Sequence, residues 1–331
     1  MSVTMLIRII LLILSVVIGL VSGGFLSGCS LSGPEILDVN IQEQEIPLAQ
    51  IIPASALSSF DIPMPSAPGL LTENNDQAFI DYSNKHFGYV TAGFLEDTDN
   101  IVKIMIIAPG GREYIYSLIP GISEVFPLTD GDGRYIISIH EHVTGNIYRD
   151  ILAVTIDVKL YDEFAPFIRP NQYVNYCNEN RVTAKAAELK AESLTRIELI
   201  EAIYNFVTKN ISYDFELADT LDEGYRPDLN LVLERGQGIC FDIAALTTAM
   251  LRSQGIPAKL VFGYYYDSDN GTIYHAWVSV FSEEEGKIGD HISITAGTWN
   301  ILDPTLATIM SMSEPGVTAR DGKVYHALYY Y

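Results

Sequence analysis

Residues 238–252 read GICFDIAALTTAMLR and decide how the C-terminal half of the chain folds. From Asp242 onward this stretch is apolar nearly all round, which is typical of a central, buried helix. Gly255 and Pro257 follow it and predict where the helix ends, because neither residue continues a helix readily. The Gly-Gln-Gly at residues 236–238 does not favour a helix, so the helix is predicted to begin close to Cys240.

A cysteine at a helix start lies at the positive end of the helix dipole. The thiolate is the reactive form, and an ordinary thiol with a pKa of about 8.5 is only a few per cent thiolate at neutral pH. The dipole contributes roughly 0.3 to 2 kcal/mol, which is at most about 1.5 pK units. A catalytic thiolate therefore needs an adjacent imidazolium. The alternative is that Cys240 is a small buried core residue, as most free cysteines are.

Two β-like segments downstream supply an imidazole and a carboxylate. Residues 259–266 and 272–281 are separated by turn residues and predict a hairpin, with His275 on its second strand. Asp303 closes another β-like run, residues 299–302, and a proline follows it. Such a carboxylate could fix the tautomer of the imidazole and leave the other ring nitrogen facing the sulfur. Taken singly, the histidine is typical of a core residue and the aspartate of a turn, but their order after the cysteine favours catalysis.

The segments that carry these residues resemble the bacterial transglutaminase-like family over roughly residues 180–310. The resemblance implies a papain-like α+β fold, in which a central helix that carries the thiol packs on an antiparallel sheet. It also implies a catalytic triad of Cys240, His275 and Asp303. The expected fold class is therefore α+β, with this core preceded by a small β-sandwich-like domain.

Two departures from related signatures limit what the resemblance implies. Animal transglutaminases have Gly-Gln-Cys-Trp at the nucleophile, whereas Phe241 follows the thiol here, and the Cys-Gly-Ser-Cys-Trp of papain is absent. The reaction is therefore not specified by either family. By resemblance to papain-like sites, an upstream glutamine and the amide of the thiol residue would stabilise an oxyanion. Gln237 is the nearest such glutamine, and the alternative is that it simply belongs to the turn.

Two helices are predicted ahead of the thiol. Residues 182–194 are rich in Ala, Lys and Glu, and residues 195–198 form a capping box that starts a second helix running to about residue 210. Both helices are expected to pack beside the central helix. Tyr213 and Asp214 follow and are candidates for the border of the active-site cleft, with a structural role equally open.

The first 29 residues have the layout of a secretory signal peptide, with Arg8 ahead of an apolar run at residues 9–20. Residues 26–29, Leu-Ser-Gly-Cys, resemble the bacterial lipobox, so Cys29 is expected to be lipidated and to become the mature N-terminus. An uncleaved membrane helix is the alternative. Either way, the protein is expected to be tethered to a membrane outside the cytoplasm.

The remaining chain is long enough for two domains, with 331 residues of which 48% are hydrophobic and 19% charged. Residues 30–77 are rich in Pro, Ser and acidic residues and are expected to form a flexible stalk. Residues 78–170 contain short, evenly spaced β-like runs and predict the β-sandwich-like domain. Residues 171–331 are expected to form the transglutaminase-like domain.

The charge, the cysteines and the histidines indicate that nucleic-acid binding, a structural disulfide and a metal site are not expected. A net charge of -22 argues against nucleic acid, because no basic stripe is present. No structural disulfide is expected, because Cys29 would carry lipid and pairing Cys177 with Cys240 would abolish the nucleophile; Cys177 is expected to be buried and inert. His140 and His142 share one face of a strand, but no metal and no cofactor is expected.

These features predict a cysteine enzyme of the cell surface that acylates Cys240 with a peptide or glutamine-type amide. Water as acceptor gives a peptidase or amidase, and an amine gives a transamidase. Hydrolysis is favoured slightly, because excluding water needs extra architecture that the sequence does not reveal. The alternative is a non-catalytic surface module that binds cell-wall peptide or a protein partner.

Overall fold

The computed structural model describes residues 61–222, 224–267, 271–290, 292–310 and 324–331. The described chain divides into two compact units, residues 63–172 and residues 173–331. The first contains strands and short turns, whereas the second mixes helices with strands. The predicted α+β class is therefore confirmed.

The N-terminal unit consists of two four-stranded antiparallel sheets, with strand orders β1-β2-β3-β6 and β5-β4-β7-β8. In chain order the strands are β1 (Thr72–Asn74), β2 (Ala78–Asp81), β3 (Tyr89–Phe94), β4 (Val102–Ile107), β5 (Glu113–Leu118), β6 (Ser123–Pro127), β7 (Gly133–Thr144) and β8 (Ile147–Val158). Burial alternates along β4, where Val102, Ile104 and Ile106 are buried and the residues between them are half-buried. This period of two places one face of the sheet in the core.

Two of these strands were not predicted from sequence. The strand β1 pairs with β2 and lies inside residues 30–77, so the predicted flexible stalk is wrong for the end of that segment. The strand β6 pairs with β3, and it was missed because its five residues include both Glu124 and Pro127. The rest of the stalk segment, up to residue 60, lies outside the described residues.

The C-terminal unit contains six described helices and eight described strands. The helices are α1 (Arg181–Ala191), α2 (Arg196–Asn210), α3 (Phe215–Thr220), α4 (Leu229–Arg235), α5 (Cys240–Ser253) and α6 (Pro304–Met310). The strands are β9 (Ser212–Tyr213), β10 (Gln237–Gly238), β11 (Ala258–Asp267), β12 (Gly271–Ser282), β13 (Gly286–Ile288), β14 (Ile292–Ile294), β15 (Thr298–Leu302) and β16 (Tyr325–Tyr330). The main sheet is antiparallel with the order β15-β12-β11-β16, and α5 packs against β11 and β12.

The helix α5 is the centre of this unit because of its composition. Every residue from Asp242 to Ser253 is buried, as the apolar stretch predicts. Fully burying a side chain such as Ile243 or Met250 stabilises the fold by roughly 1.5–3 kcal/mol. The helix ends before Gly255, whose φ of 74° is in the left-handed region that glycine adopts at low cost. The sequence therefore determines both ends of the helix that carries the thiol.

The capping box predicted at residues 195–198 is confirmed. The Glu198 amide donates to Thr195 Oγ1 at 3.1 Å, and the Thr195 amide donates to the Glu198 carboxylate at 3.3 Å. It starts α2 at Arg196. Together α1 and α2 pack against α5, as predicted for the two lead-in helices.

The hairpin of β11 and β12 brings Gly263 opposite His275. A Cβ atom on Gly263 would lie 2.1 Å from the carbonyl oxygen of His326 and 2.8 Å from the ring of Trp277. A side chain here would therefore separate β16 from β11. This glycine lets the sheet close tightly beside the histidine.

The prediction of no structural disulfide is wrong, because Cys177 is half-buried and disulfide-bonded. Cys240 is the free cysteine in the described part of the chain.

Candidate active site

The thiol of Cys240 lies at the first residue of α5, as predicted, and its residue is half-buried. The preceding residue, Ile239, has extended backbone and is the N-cap. Just before it, the strand β10 pairs in parallel with β9, with Gly238 opposite Tyr213. This short pairing holds the chain that enters the helix. The sulfur therefore lies beside the free amides of a helix N-terminus.

A carboxylate completes the start of the helix. Asp242 is fully buried, and its Oδ2 accepts the Ile239 amide at 2.9 Å. Its Oδ1 accepts the Tyr225 hydroxyl at 2.8 Å. Burial raises the pKa of Asp242 to about 6, and these two hydrogen bonds offset part of that rise. Asp242 thus ties the first turn of the helix to the loop that carries Tyr225.

His275 and Asp303 form a buried pair. The Nε2 atom of His275 lies 2.8 Å from Asp303 Oδ2, and the two side chains are only 8% and 5% exposed. Cys240 is a further electrostatic neighbour of His275. Because Nε2 faces the carboxylate, Nδ1 is the nitrogen left to face the sulfur. The structure thus brings together all three residues of the predicted triad.

The charge of His275 depends on its neighbours. Burial by itself lowers the pKa of this imidazole, but the charge and hydrogen bond of Asp303 and the neighbouring Cys240 raise it well above its ordinary value. The imidazolium is therefore the stable form at neutral pH. The imidazolium supplies positive charge beside the thiol, which the helix dipole alone provides too weakly to stabilise a catalytic thiolate.

Asp303 is held in one orientation by three donors. Besides the imidazole, the Leu306 amide donates to Oδ1 at 2.9 Å, which caps the start of α6. The Tyr325 hydroxyl donates to Oδ2 at 3.0 Å. The position of Asp303 just after β15 was predicted, and Pro304 is the first residue of α6 rather than only the end of a strand.

Aromatic side chains surround the approach to the thiol. The Phe241 ring lies 4.9 Å from that of Phe262 and 5.3 Å from that of Tyr173, measured between centroids. Tyr274 stacks on Phe262 at 6.0 Å and is 37% exposed. Burial chiefly, and then nearby charges that include Cys240, raise the pKa of Tyr274. The position that tryptophan takes in animal transglutaminases is thus filled by a phenylalanine in an aromatic cluster.

The other predicted site residues lie on β9, on β10 and at the start of α3. Gln237 is exposed in β10, and its role at an oxyanion stays a prediction. Tyr213 is half-buried in β9, and Asp214 accepts the Leu217 amide at the start of α3. A structural role for that aspartate, one of the two alternatives, is thus present.

The two histidines of β7 are engaged within the N-terminal unit. His140 Nδ1 lies 2.9 Å from Asp150, and its Nε2 lies 2.7 Å from Ser138 Oγ. His142 Nε2 lies 2.9 Å from the Gly145 carbonyl. Among the described residues, no group of three or more His, Cys, Asp or Glu side chains is arranged to hold a metal ion.

Sequence reasoning missed three polar residues of this site. Asp242 was interpreted only as the edge of the helix, although an acidic residue in the first turn is a capping signal. Tyr225 and Tyr325 are far from the motifs along the chain, and no local pattern distinguishes them from the other tyrosines. They reach the site only through the fold.

Comparison with known proteins supports the fold of this region. Residues 183–304 match the family model of the transglutaminase-like superfamily. A search of curated proteins finds no match. Within the described part of the chain, no helix is both long and apolar enough to cross a membrane.

The solved structures that the chain is similar to have low sequence identity to it and low TM-scores. A candidate cysteine protease from Cytophaga hutchinsonii is 13% identical, with a TM-score of 0.37, covering 79% of this chain and 73% of that one. The periplasmic domain of TgpA from Pseudomonas aeruginosa is 12% identical, with a TM-score of 0.32, covering 72% of this chain and 96% of that one. Red sea bream transglutaminase is 13% identical, with a TM-score of 0.28, covering 65% of this chain and 47% of that one.

The family match spans the helix start, the hairpin and the end of β15, which carry Cys240, His275 and Asp303. The mixed helices and antiparallel sheet of the C-terminal unit are consistent with the papain-like fold that the resemblance implied. Residues 183–304 are therefore a domain of the transglutaminase-like superfamily.

Proposed function

We propose that the protein is a cysteine-dependent acyl transferase that acts on peptide or glutamine-type amides, with hydrolysis slightly favoured over transamidation. The observation that carries this proposal is the buried 2.8 Å contact between His275 and Asp303, with Cys240 as the third partner at a helix start. A half-buried thiol beside a stabilised imidazolium is the arrangement that activates a cysteine nucleophile.

The reaction follows from this arrangement. The Cys240 thiolate attacks the amide carbonyl carbon, and the tetrahedral intermediate places negative charge on the carbonyl oxygen. His275 donates its proton to the amine as the C–N bond breaks, which leaves a thioester. Neutral His275 then takes a proton from water, hydroxide attacks the thioester, and the thiolate leaves with the imidazolium restored. Asp303 holds the ring orientation and tautomer in both steps.

The oxyanion would be stabilised by the backbone amide of Cys240, with the Gln237 side chain as the proposed second donor. The helix N-terminus supports the first donor, because its amides have no partner within the helix. The exposure of Gln237 leaves its side chain able to reach a substrate. Removing one donor of this kind typically lowers turnover by about 10² to 10³.

The test begins with alkylation of Cys240 by iodoacetamide as a function of pH, followed by mass spectrometry. The rate should stay high below pH 7 and fall in His275→Ala, because the imidazolium stabilises the thiolate. A rate in the native protein that matches free cysteine at every pH would overturn the proposal. Incubation with glutamine-containing peptides and a labelled amine then separates the two reactions, since incorporation of label without net hydrolysis would show a transamidase.

We further propose that residues 1–29 direct export and that Cys29 carries the lipid that anchors the protein at a membrane outside the cytoplasm. The lipobox supports this proposal. A thioether-linked lipid on Cys29 and a disulfide between Cys29 and Cys177 exclude each other, because both need the same sulfur. Mass spectrometry of the mature protein distinguishes them, and a Cys29–Cys177 disulfide peptide would refute lipidation.

A further inference from the structure

The strand β16 brings a residue from outside the family match into the site. The match ends at residue 304, whereas β16 covers Tyr325–Tyr330 and pairs with β11 at the edge of the main sheet. Its first residue, Tyr325, lies opposite Tyr265 in the register. The hydroxyl of Tyr325 thus reaches the Asp303 carboxylate from a strand that is not part of the matched segment.

The contact is specific to one carboxylate oxygen. Tyr325 donates to Asp303 Oδ2 at 3.0 Å, and the imidazole of His275 lies 2.8 Å from that same atom. The other oxygen, Oδ1, accepts the Leu306 amide. Two donors that share one oxygen compete for its negative charge, so each weakens the pull of the carboxylate on the other.

Packing holds the tyrosine in this place. The ring of Tyr325 lies 5.0 Å from that of Trp277 and 5.1 Å from that of Tyr265, and both of these rings also contact His275. Burial first, and then the charge and hydrogen bond of Asp303, raise the pKa of Tyr325. The hydroxyl therefore keeps its proton and remains a donor throughout the working pH range.

We infer that Tyr325 is a positioning residue that sets how strongly Asp303 holds the protonated imidazole of His275. This inference rests on the proposed function of the Cys240 site. The tyrosine touches no reacting atom and acts through the carboxylate. It extends the site to strand β16, which lies downstream of the family match.

The groups that face this pair come from several elements. Tyr204 of α2 feels the charge of Asp303, and burial chiefly raises its pKa. Tyr265 of β11 and Tyr204 both act electrostatically on Tyr325, and Cys240 of α5 acts on the imidazole. The neighbours from α2 and β11 are tyrosines that stay neutral at neutral pH. Among these neighbours, the imidazolium of His275 is therefore the counter-ion of the Asp303 carboxylate.

The test is Tyr325→Phe in the full chain, which removes one hydroxyl and keeps the ring packing. With one donor gone, the bond from His275 to Asp303 should strengthen. The downfield NMR signal of the imidazole proton on Nε2 is expected to move further downfield. The high-pH limb of Cys240 alkylation, where the imidazolium loses its proton, is expected to move upward by roughly half a pH unit to one unit.

Tyr266→Phe is the matched control. Tyr266 lies on β11, next to the tyrosine that faces Tyr325, and is 57% exposed. It should leave the imidazole signal and the alkylation profile unchanged. If Tyr325→Phe lowers only thermal stability and leaves both readouts as in the native protein, the inference is wrong.

The two proposals can fail separately. If the native thiol shows no reactivity below pH 7, the proposed function is wrong, yet the imidazole signal still reports on the contact of Tyr325 with Asp303. If the thiol is reactive and neither readout responds to Tyr325→Phe, the enzyme proposal stands and the role of β16 does not.

Discussion

Two histidines in this protein, one in each unit, are placed between a carboxylate and a group that carries a transferable proton. In the N-terminal unit, His140 lies between Ser138 and Asp150. In the C-terminal unit, His275 lies between Cys240 and Asp303. The nitrogen-to-oxygen distances to the two carboxylates are nearly equal, at 2.9 and 2.8 Å. Each histidine thus has a carboxylate on one side and a hydroxyl or thiol on the other, so the difference between the sites lies in their surroundings.

Burial separates the two carboxylates. The side chain of Asp150 is 91% exposed, whereas that of Asp303 is 5% exposed. Water and salt screen an exposed pair, whose interaction is typically worth about 1 kcal/mol or less. A buried pair is screened far less, and losing one partner leaves the other as an uncompensated charge. The same contact is therefore strong in one unit and weak in the other.

The residue on the other side of each histidine, Ser138 or Cys240, differs in its backbone surroundings as well. Ser138 lies in the middle of β7, where its backbone is paired with β4 and β8 on both sides. Cys240 is the first residue of a helix, where the amides are free to bind an oxyanion. A hydroxyl within a sheet has no such donors. The comparison teaches that a hydrogen-bonded trio becomes a candidate catalytic site only with burial and an anion-binding backbone.

The largest expected effect comes from removing the nucleophile. Cys240→Ala should reduce amide turnover to background, because no thioester can form, while Ser138→Ala leaves it unchanged. The measurement is hydrolysis of glutamine-containing peptides by the full chain. Retained turnover in Cys240→Ala would show that Cys240 is not the nucleophile. Binding and phenotype that persist in a variant without turnover would indicate a binding module instead.

Changing the carboxylates compares the two histidines directly. Asp303→Asn should keep the fold but lower turnover by roughly 10² to 10⁴, because the tautomer of His275 is no longer fixed. Asp150→Asn is the matched change and should not affect turnover. Equal turnover in Asp303→Asn and the native enzyme would mean that another residue orients the base.

Sequence predicted the polar residues that sit on patterned elements. Cys240 was found because an apolar run and two glycines define its helix, and Asp303 because a proline follows a β-like run. Tyr325 could not be found in this way, since its contact depends on the order of four strands and on the close approach allowed by Gly263. Strand β1 was missed for a different reason. Its residues Thr72–Asn74 are only half-buried or exposed, so no burial pattern marks them.

Asp242 gives a smaller effect, seen in stability rather than turnover. Burial raises the pKa of Asp242 from its ordinary value of 3.8 to about 6, so folding favours the protonated form. That contribution is fully present below about pH 4 and is lost as the pH rises through about 6. Asp242→Asn should remove this dependence, so its stability relative to the native protein should rise by roughly 1–3 kcal/mol between pH 4 and pH 7. Urea unfolding of both proteins at pH 4, 5, 6 and 7 measures their free energies of unfolding. If these two free energies change with pH in the same way, the prediction is contradicted.

The smallest expected effect is at the exposed pair. Asp150→Asn should leave the urea midpoint unchanged within error between pH 5 and pH 8, because the lost contact faces water and Ser138 still bonds to His140. Asp303→Asn, measured in parallel, should lose stability, because Asp303 accepts three hydrogen bonds in the core. If Asp150→Asn destabilised the protein as much as Asp303→Asn, exposure would not be what separates the two sites. The trio of the N-terminal unit would then need a functional explanation of its own.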